Sequence, residues 1–506
     1  MFIHHFPILS ILIWTPIIGS LLLLLIKENN LHLIKIVGFS FSSITLIFSI
    51  IILYNFNPHD FSLQFVEKIP WITNLNINYH LAVDGFSVIF IILTTIITSI
   101  IMLFNFSEER SQNNKFISLF LLLEGLLLGV FCSFDSILFY IFFESTLIPL
   151  FLIIGIWGGP NRIYATLKFF IYTLFGSVLM LVSLIYLSFK ANSFYILDYY
   201  HLLLDLDTQI YLFLAFLIAF GVKIPMWPVH TWLPDAHVEA PSSGSVILAA
   251  VLLKVGGYGM IRFLLPITPD AGIYLNHIVI TLSLIAIIYI SFVALAQKDM
   301  KKLIAYSSIA HMGFVTLGIF LVFNILSQDS GTDKDIILVG LQGSIMQMIS
   351  HGLISAGLFI CIGIIYTRTK SRMIDEQSGI AQTMPLFSAL MMFFLLANSG
   401  LPGTSGFVGE FMVLISSIEI NPFYAILAST TLVLAASYSL WLGKRVLFGL
   451  ITNENVMKMK SLRTDEFWSL FILVILILLI GIKPNLILDI SHEASYNIIN
   501  SLVTKL

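Results

Sequence analysis

The sequence predicts an all-α polytopic membrane protein of about 14 transmembrane helices, with two inverted repeats (helices 4–8 and 9–13) and broken helices 7 and 12. Three observations carry this. Of 506 residues, 58% are hydrophobic and 10% charged, against roughly 25% charged in a soluble globular domain. Apolar runs long enough to cross a bilayer, about 20 residues each, recur along the whole chain. Two of those runs are interrupted by Gly and Pro at matching places.

In chain order the runs fall at 6–26, 32–54, 82–106, 115–133, 136–157, 164–188, 209–230, 240–265, 275–297, 303–324, 336–366, 385–413, 423–447 and 466–488. The first, from Phe6 to Ile26, has no basic leader and no small-residue cleavage site, so it reads as a retained helix rather than a signal peptide. Only Asp135 and its neighbours separate the fourth and fifth runs. Ser-Phe-Asp-Ser ahead of an apolar stretch makes Asp135 a helix cap. The run 336–366 is long enough to be tilted or broken. With a mean hydropathy of +0.98 there is no room for a large extramembrane catalytic module.

Orientation follows from Lys and Arg, which concentrate on one side of coupling membranes. Loops after odd-numbered helices carry Lys27, Lys35, Arg110, Lys115, Arg162, Lys168, the Lys298–Lys302 run, Arg368, Lys370, Arg372, Lys444, Arg445, Lys458, Lys460 and Arg463. The opposite loops and the tail carry few, so both termini are expected to face outward, on the positive side. The net charge of −3 is scattered over short loops and implies no nucleic-acid partner. Cys132 and Cys361 lie in separate apolar runs at no metal or redox spacing, so the chain is expected to hold no iron–sulfur cluster. Phosphate loops, dinucleotide glycine patterns and nucleophile elbows are missing from the sequence, and NADH is not expected to bind here.

The seventh run reads Phe220-Gly-Val-Lys-Ile-Pro-Met-Trp-Pro228, the twelfth Asn398-Ser-Gly-Leu-Pro-Gly-Thr-Ser-Gly-Phe-Val-Gly-Glu410. Proline removes a backbone donor and glycine loosens the turn, so each helix should break near mid-membrane, facing protein or water. Broken helices at corresponding positions point to repeats with ion chemistry at the breaks. A charge stands beside each break, Lys223 at the first and Glu410 at the second, and further ionisable residues lie inside other runs: Glu144, Lys254, His311 and His351. Each costs about 2.5–3.5 kcal/mol at a helix centre and is expected to face the bundle interior. Glu144 is the expected partner of Lys223, tuning a buried lysine that loads and releases a proton. His311 and His351 suit a relay between the halves, Lys254 the middle station, and Glu410 the entry or exit group.

Structural readings stand beside these. Glu144 and Lys223 also fit a static ion pair, Lys254 a snorkelling lysine, and the two histidines helix–helix hydrogen bonds. Glu124 is either a relay member or a structural acceptor. His230 and His237 lie seven apart in a Pro-rich stretch, at no standard metal-ligand spacing. That stretch is expected to be a loop capping the eighth helix through Ser242, Ser243 or Glu239. Lys298-Asp-Met-Lys-Lys302 reads as a surface anchor.

Phe139-Tyr-Ile-Phe-Phe-Glu-Ser-Thr-Leu-Ile-Pro149, His230-Thr-Trp-Leu-Pro-Asp-Ala-His-Val-Glu-Ala-Pro241, Leu252-Leu-Lys-Val-Gly-Gly-Tyr-Gly259, Leu303-Ile-Ala-Tyr-Ser-Ser-Ile-Ala-His311, Leu401-Pro-Gly-Thr-Ser-Gly-Phe-Val-Gly-Glu410 and Gly481-Ile-Lys-Pro484 closely resemble the chain 4 family of NADH:ubiquinone oxidoreductase, respiratory complex I. The resemblance covers roughly residues 80 to 490 in order. It implies an antiporter-like subunit of the distal membrane arm, moving protons through buried Glu, Lys and His and coupled to quinone reduction elsewhere. By motif match it implies Glu144 and Lys223 as the charged pair, Lys254 as the central lysine and Glu410 as the terminal carboxylate; which histidine is the relay stays open. NADH, FMN, iron–sulfur clusters and ubiquinone belong to other subunits, with the paralogous antiporter-like subunits and membrane lipids as partners.

The domain organisation expected is 1–110 for helices 1–3, 111–268 for the first repeat, 269–450 for the second, and 451–506 for helix 14 and tail. The Ile, Phe, Asn and Lys richness points to an AT-rich genome and the mitochondrial inner membrane, with a bacterial plasma membrane as the alternative. The rival functions are a multisubunit cation/proton antiporter and a non-translocating structural subunit.

Overall fold

The computed structural model describes residues 6–108, 110–326 and 334–505. Helices cross in alternating directions: α1 Ile8–Leu25, α2 Leu31–Asn55, α3 Gly85–Phe104, α4 Asn113–Cys132, α5 Ser136–Trp157, α6 Arg162–Ala191 and α7 Leu206–Lys223. A short α8, Trp232–Glu239, completes the seventh crossing beyond an irregular stretch. Then come α9 Ser242–Ile267, α10 Pro269–Leu295, α11 Met300–Leu326 and α12 Lys334–Thr369. The twelfth crossing is broken into α13 Pro385–Asn398 and α14 Ser405–Ile420, and α15 Pro422–Leu447 and α16 Thr464–Ile482 follow. Thirteen of the described helices are long and apolar enough to span a membrane, and the two arms α13 and α14 make the fourteenth crossing.

Helices α9 and α12 are wholly surrounded by protein, whereas α2 and α6 leave most of their surface outside the bundle. Two fully enclosed helices can carry polar side chains that lipid would reject. The 336–366 run is a single unbroken 36-residue helix, Lys334–Thr369. Asp135 caps α5 as expected, accepting from the Ile137 and Leu138 amides.

Three features depart from expectation. The stretch before α3 forms a hairpin, β1 Gln64–Ile72 paired antiparallel with β2 Ile77–Val83. It docks on the bundle: the Asp135 carboxylate accepts from the Asn78 amide, and Glu67 accepts from the Leu9 and Ser10 amides at the start of α1. The expected loop over 228–241 is instead largely helical α8. No side chain caps α9: Ser243 donates to Asn105, and Glu239 accepts from the Asn161 amide, so neither serves the α9 N-terminus. The tail is a further helix, α17 Asn485–Lys505, lying against α3 and α12.

Candidate functional site

Each half presents a broken helix with a charge beside the break. In the first half, α7 ends at Lys223 and the chain resumes helically at Trp232. Close approach is required here, since a side chain at Gly256 of α9 would meet the Ile224 nitrogen and the Phe220 oxygen at 2.7 Å. The gap at the break is packed by Leu282, Ala286, Ile309 and Met312, with the Ser283 and Thr316 hydroxyls bonded to each other at 2.7 Å. It encloses no water-sized space, so on this side the break faces protein, one of the two surroundings expected.

Lys223 is buried and its ammonium meets no hydrogen-bond partner among the described residues; it stands 4.5 Å above the Phe143 ring. Glu144 is the next residue along α5. Its carboxylate feels the lysine electrostatically but does not contact it, and Oε2 has no partner. The expected Glu144–Lys223 pair is therefore not a hydrogen-bonded ion pair: the lysine stands over the Phe143 ring and the carboxylate acts on it through space. A cation over a ring face gains about 2 kcal/mol or more when desolvated, which is one reason the lysine is tolerated there.

The second half is joined. A side chain at Gly409 of α14 would meet the Gln347 nitrogen of α12 at 2.6 Å, and that contact sets Glu410 against α11 and α12. His311 Nδ1 lies 2.8 Å from Glu410 Oε1. Gln347 Nε2 donates to the same oxygen at 3.0 Å. Tyr438 on α15 reaches His311 Nε2 at 3.3 Å. A cavity of about 10 Å³ lies among His311, His351, Asn398 and Glu410, at the lower limit for one water molecule.

Lys254 connects to this network. It lies midway along α9, in the short helical turn Leu253–Gly259 flanked by two wide π-turns; such turns often mark functional positions. Its ammonium donates to the Ala249 carbonyl at 2.6 Å and lies 2.7 Å from His351 Nδ1. The His351 and His311 rings are 5.9 Å apart. Lys254, His351, His311 and Glu410, scattered over 157 positions of sequence, thus form one polar chain through the interior. Lys254 is fully buried, so it does not snorkel.

Glu124 is also fully buried, but neither carboxylate oxygen meets a partner, so the reading of it as a structural acceptor has no hydrogen bond behind it. His230 sits apart from the chain near the start of α8. His237 is wholly buried, stacked at 4.5 Å on Phe359 with both ring nitrogens unpartnered. Among the described residues no cluster of His, Cys, Asp or Glu has the makings of a metal site.

Sequence reasoning missed the placement of five groups. Lys301 is buried rather than a surface anchor: its ammonium donates to the Ala240 carbonyl at 2.6 Å. Asp299 Oδ1 takes the Lys301 amide at 2.7 Å, turning the start of α11 inward. Gln347 and Tyr438 join the second-half network, and His237 packs flat on Phe359. Gln347 precedes His351 by four residues, one helical turn, and that shared face was the available signal.

Residues 133–436 match the family model described as NADH:quinone oxidoreductase/Mrp antiporter, transmembrane. NADH-ubiquinone oxidoreductase chain 4 of Marchantia polymorpha is 41% identical over 496 residues, 97% of each chain. NADH-quinone oxidoreductase subunit M of Rhodobacter capsulatus is 44% identical over 500 residues, 96% of this chain and 94% of the relative. A chain in the structure of respiratory complex I from Thermus thermophilus with bound NADH superposes with a TM-score of 0.87 at 28% identity, covering 98% of this chain and 99% of that one.

Proposed function

The chain belongs to the NADH:quinone oxidoreductase/Mrp antiporter transmembrane family, and from that premise we propose that it is a proton-translocating membrane-arm subunit of NADH:quinone oxidoreductase. The observation that carries this is the polar chain from Lys254 through His351 and His311 to Glu410. A lysine, two imidazoles and a carboxylate are four groups that each take up and release protons, and they stand in a row in a low-dielectric interior.

The direct contact lets Lys254 pass a proton to His351 Nδ1, and an imidazole gives a proton from its other nitrogen. The step to His311 crosses 5.9 Å between ring centres and takes a ring rotation or one bridging water. His311 then shares its proton with Glu410, which Gln347 orients. Glu144 sets the electrostatics at Lys223, which supplies the first half. This reading divides the chain into a first repeat over 111–268 and a second over 269–450, with both termini on the positive side of the membrane. It leaves NADH, flavin, iron–sulfur clusters and ubiquinone to other subunits. Composition supports a mitochondrial inner membrane, and the bacterial relatives keep a plasma membrane as the alternative.

The test is Lys254→Arg in the assembled complex. Arginine keeps the charge but does not release its proton, so proton pumping coupled to NADH oxidation is expected to fall by about 10²-fold. Normal pumping would exclude Lys254 as a carrier. Co-purification with flavin and iron–sulfur subunits separates this function from a multisubunit cation/proton antiporter, and unchanged pumping after neutralising Lys223 would favour a purely structural subunit.

A further inference from the structure

A cavity of about 460 Å³ opens on the face that bears the chain termini, between the loop at Asp60, the loop at Tyr200 and the C-terminal helix α17. Its floor is Asp84 and Arg262. Arg262 lies on the same helix as Lys254, eight residues away, or about 12 Å along the axis. The cavity therefore brings solvent on that face close to the central lysine, and what fills the last two turns decides whether protons cross.

We propose that Arg262, Asp84 and the aromatic cluster around Tyr258 form an insulating plug that seals Lys254 from the terminal face; the proposal rests on Lys254 being a proton carrier. Arg262 Nη2 is bonded to Asp84 Oδ2 at 2.6 Å, and its guanidinium lies against the rings of Phe134 at 4.8 Å and Tyr258 at 5.2 Å. Arginine does not deprotonate, so Arg262 cannot relay a proton from the cavity, and its pairing with Asp84 holds the guanidinium across the way to Lys254. Asp84 holds it there and also caps α3, accepting from the Ser87 amide at 3.0 Å.

Behind the guanidinium the path toward Lys254 is aromatic. Tyr258 packs edge-on to Phe131 with ring centres 5.2 Å apart, Phe131 stacks on Phe90 at 5.2 Å, and all three are buried. The Tyr258 hydroxyl is occupied: it lies 3.3 Å from the Phe131 carbonyl and receives the Arg262 Nε–H at 3.3 Å. Ring faces offer water no strong hydrogen-bond partners, and the Tyr258 hydroxyl among them is already engaged by Arg262, the Phe131 carbonyl and the Ser87 hydroxyl at 3.4 Å, so it offers a proton wire no free station. A coupling membrane needs such a seal, because any continuous wire from the positive side to Lys254 would return pumped protons without work.

The assembled complex in proteoliposomes, held at a potassium–valinomycin potential without NADH, reports passive proton flux through a pH dye. Arg262→Gln and Phe131→Ala are expected to raise that flux several-fold and to lower the proton yield per NADH while electron transfer continues. Arg262→Lys, which keeps the charge, should stay tight. The leak should vanish when Arg262→Gln is combined with Lys254→Met. Assembled Arg262→Gln and Phe131→Ala complexes as tight as wild type would overturn the plug, and so would a leak that survives Lys254→Met. Since these measurements are made at rest, a tight Arg262→Gln complex beside a Lys254→Arg complex that fails to pump would refute the plug alone. Normal pumping by Lys254→Arg would refute the carrier assignment instead.

Discussion

The two broken crossings solve the same problem in opposite ways. At the first, Lys223 and Glu144 are held apart, the lysine over the Phe143 ring and without a hydrogen bond. At the second, Glu410 is tied to His311 and Gln347, with Tyr438 closing the other side of the imidazole. An unpaired buried charge responds strongly to any change in neighbouring charge, because nothing nearby screens it. A hydrogen-bonded network holds one geometry and hands protons along short contacts. Similar Gly/Pro breaks thus position an electrostatically sensitive pair in one half and a connected relay in the other.

The largest effect is expected where the network is densest. Glu410→Gln keeps the size but removes the carboxylate that faces His311, and coupled pumping should fall by about 10²-fold, the scale of a lost positioned acid or base. Proton flux measured beside NADH oxidation in the assembled complex checks this, and retained pumping would reduce the second-half network to helix–helix glue.

Glu144→Gln should cost less, about tenfold, since it removes a charge that acts on Lys223 through space rather than a bonded member of a relay. Equal losses for Glu144→Gln and Glu410→Gln in the same assay would mean that the lack of direct contact between Glu144 and Lys223 makes no functional difference, and the contrast between the halves would collapse.

The smallest effect sharpens the first half from outside the membrane. The hairpin is bonded to the start of α5, the helix that carries Glu144: the His80 carbonyl accepts from the Phe134 amide and Asp135 accepts from the Asn78 amide. His80 is stacked on Tyr195 at 5.0 Å, and burial, aided by the Lys68 charge, holds its pKa down at about 4. A histidine with a depressed folded pKa contributes stability that is full above its unfolded value, about 6.5, and is lost as pH falls toward about 4. His80→Phe preserves the stack and removes the titration. The thermal stability of wild type relative to His80→Phe should therefore fall as pH drops from about 6.5, and a constant difference across that range would show that His80 is not held neutral by docking of the hairpin.

Much of this was legible beforehand because lipid is a severe filter on sequence. The runs, the interruptions at Pro225 and Pro402 and the ionisable residues inside apolar stretches each read directly, and Asp135 read as a cap because its neighbours follow a local pattern. Lys301 did not, since a lysine two residues from Asp299 near a helix start looks like a surface anchor until Ala240 and Ser245 close around it. The hairpin was hidden by its company: Val66, Ile69, Trp71 and Ile72 are exposed, so β1 shows no clean inside–outside alternation. The segment Trp232–Glu239 was hidden by its prolines, although Pro234 sits in the first turn of a helix, where a missing amide costs nothing.

Composition and local backbone chemistry alone govern the cost of placing a charge or a proline in hydrocarbon, so the membrane class, the crossings, the broken helices and the identity of the buried charged residues follow from the residues in order. Only the tertiary structure decided which of those residues touch. Lys254 meets His351 across 97 residues and His311 meets Glu410 across 99, while Glu144 and Lys223 remain apart with a phenyl ring beside the lysine. Those outcomes depend on helix rotation and on distances of a few ångströms set by packing, including the contacts at Gly256 and Gly409, and no single segment of the chain encodes them.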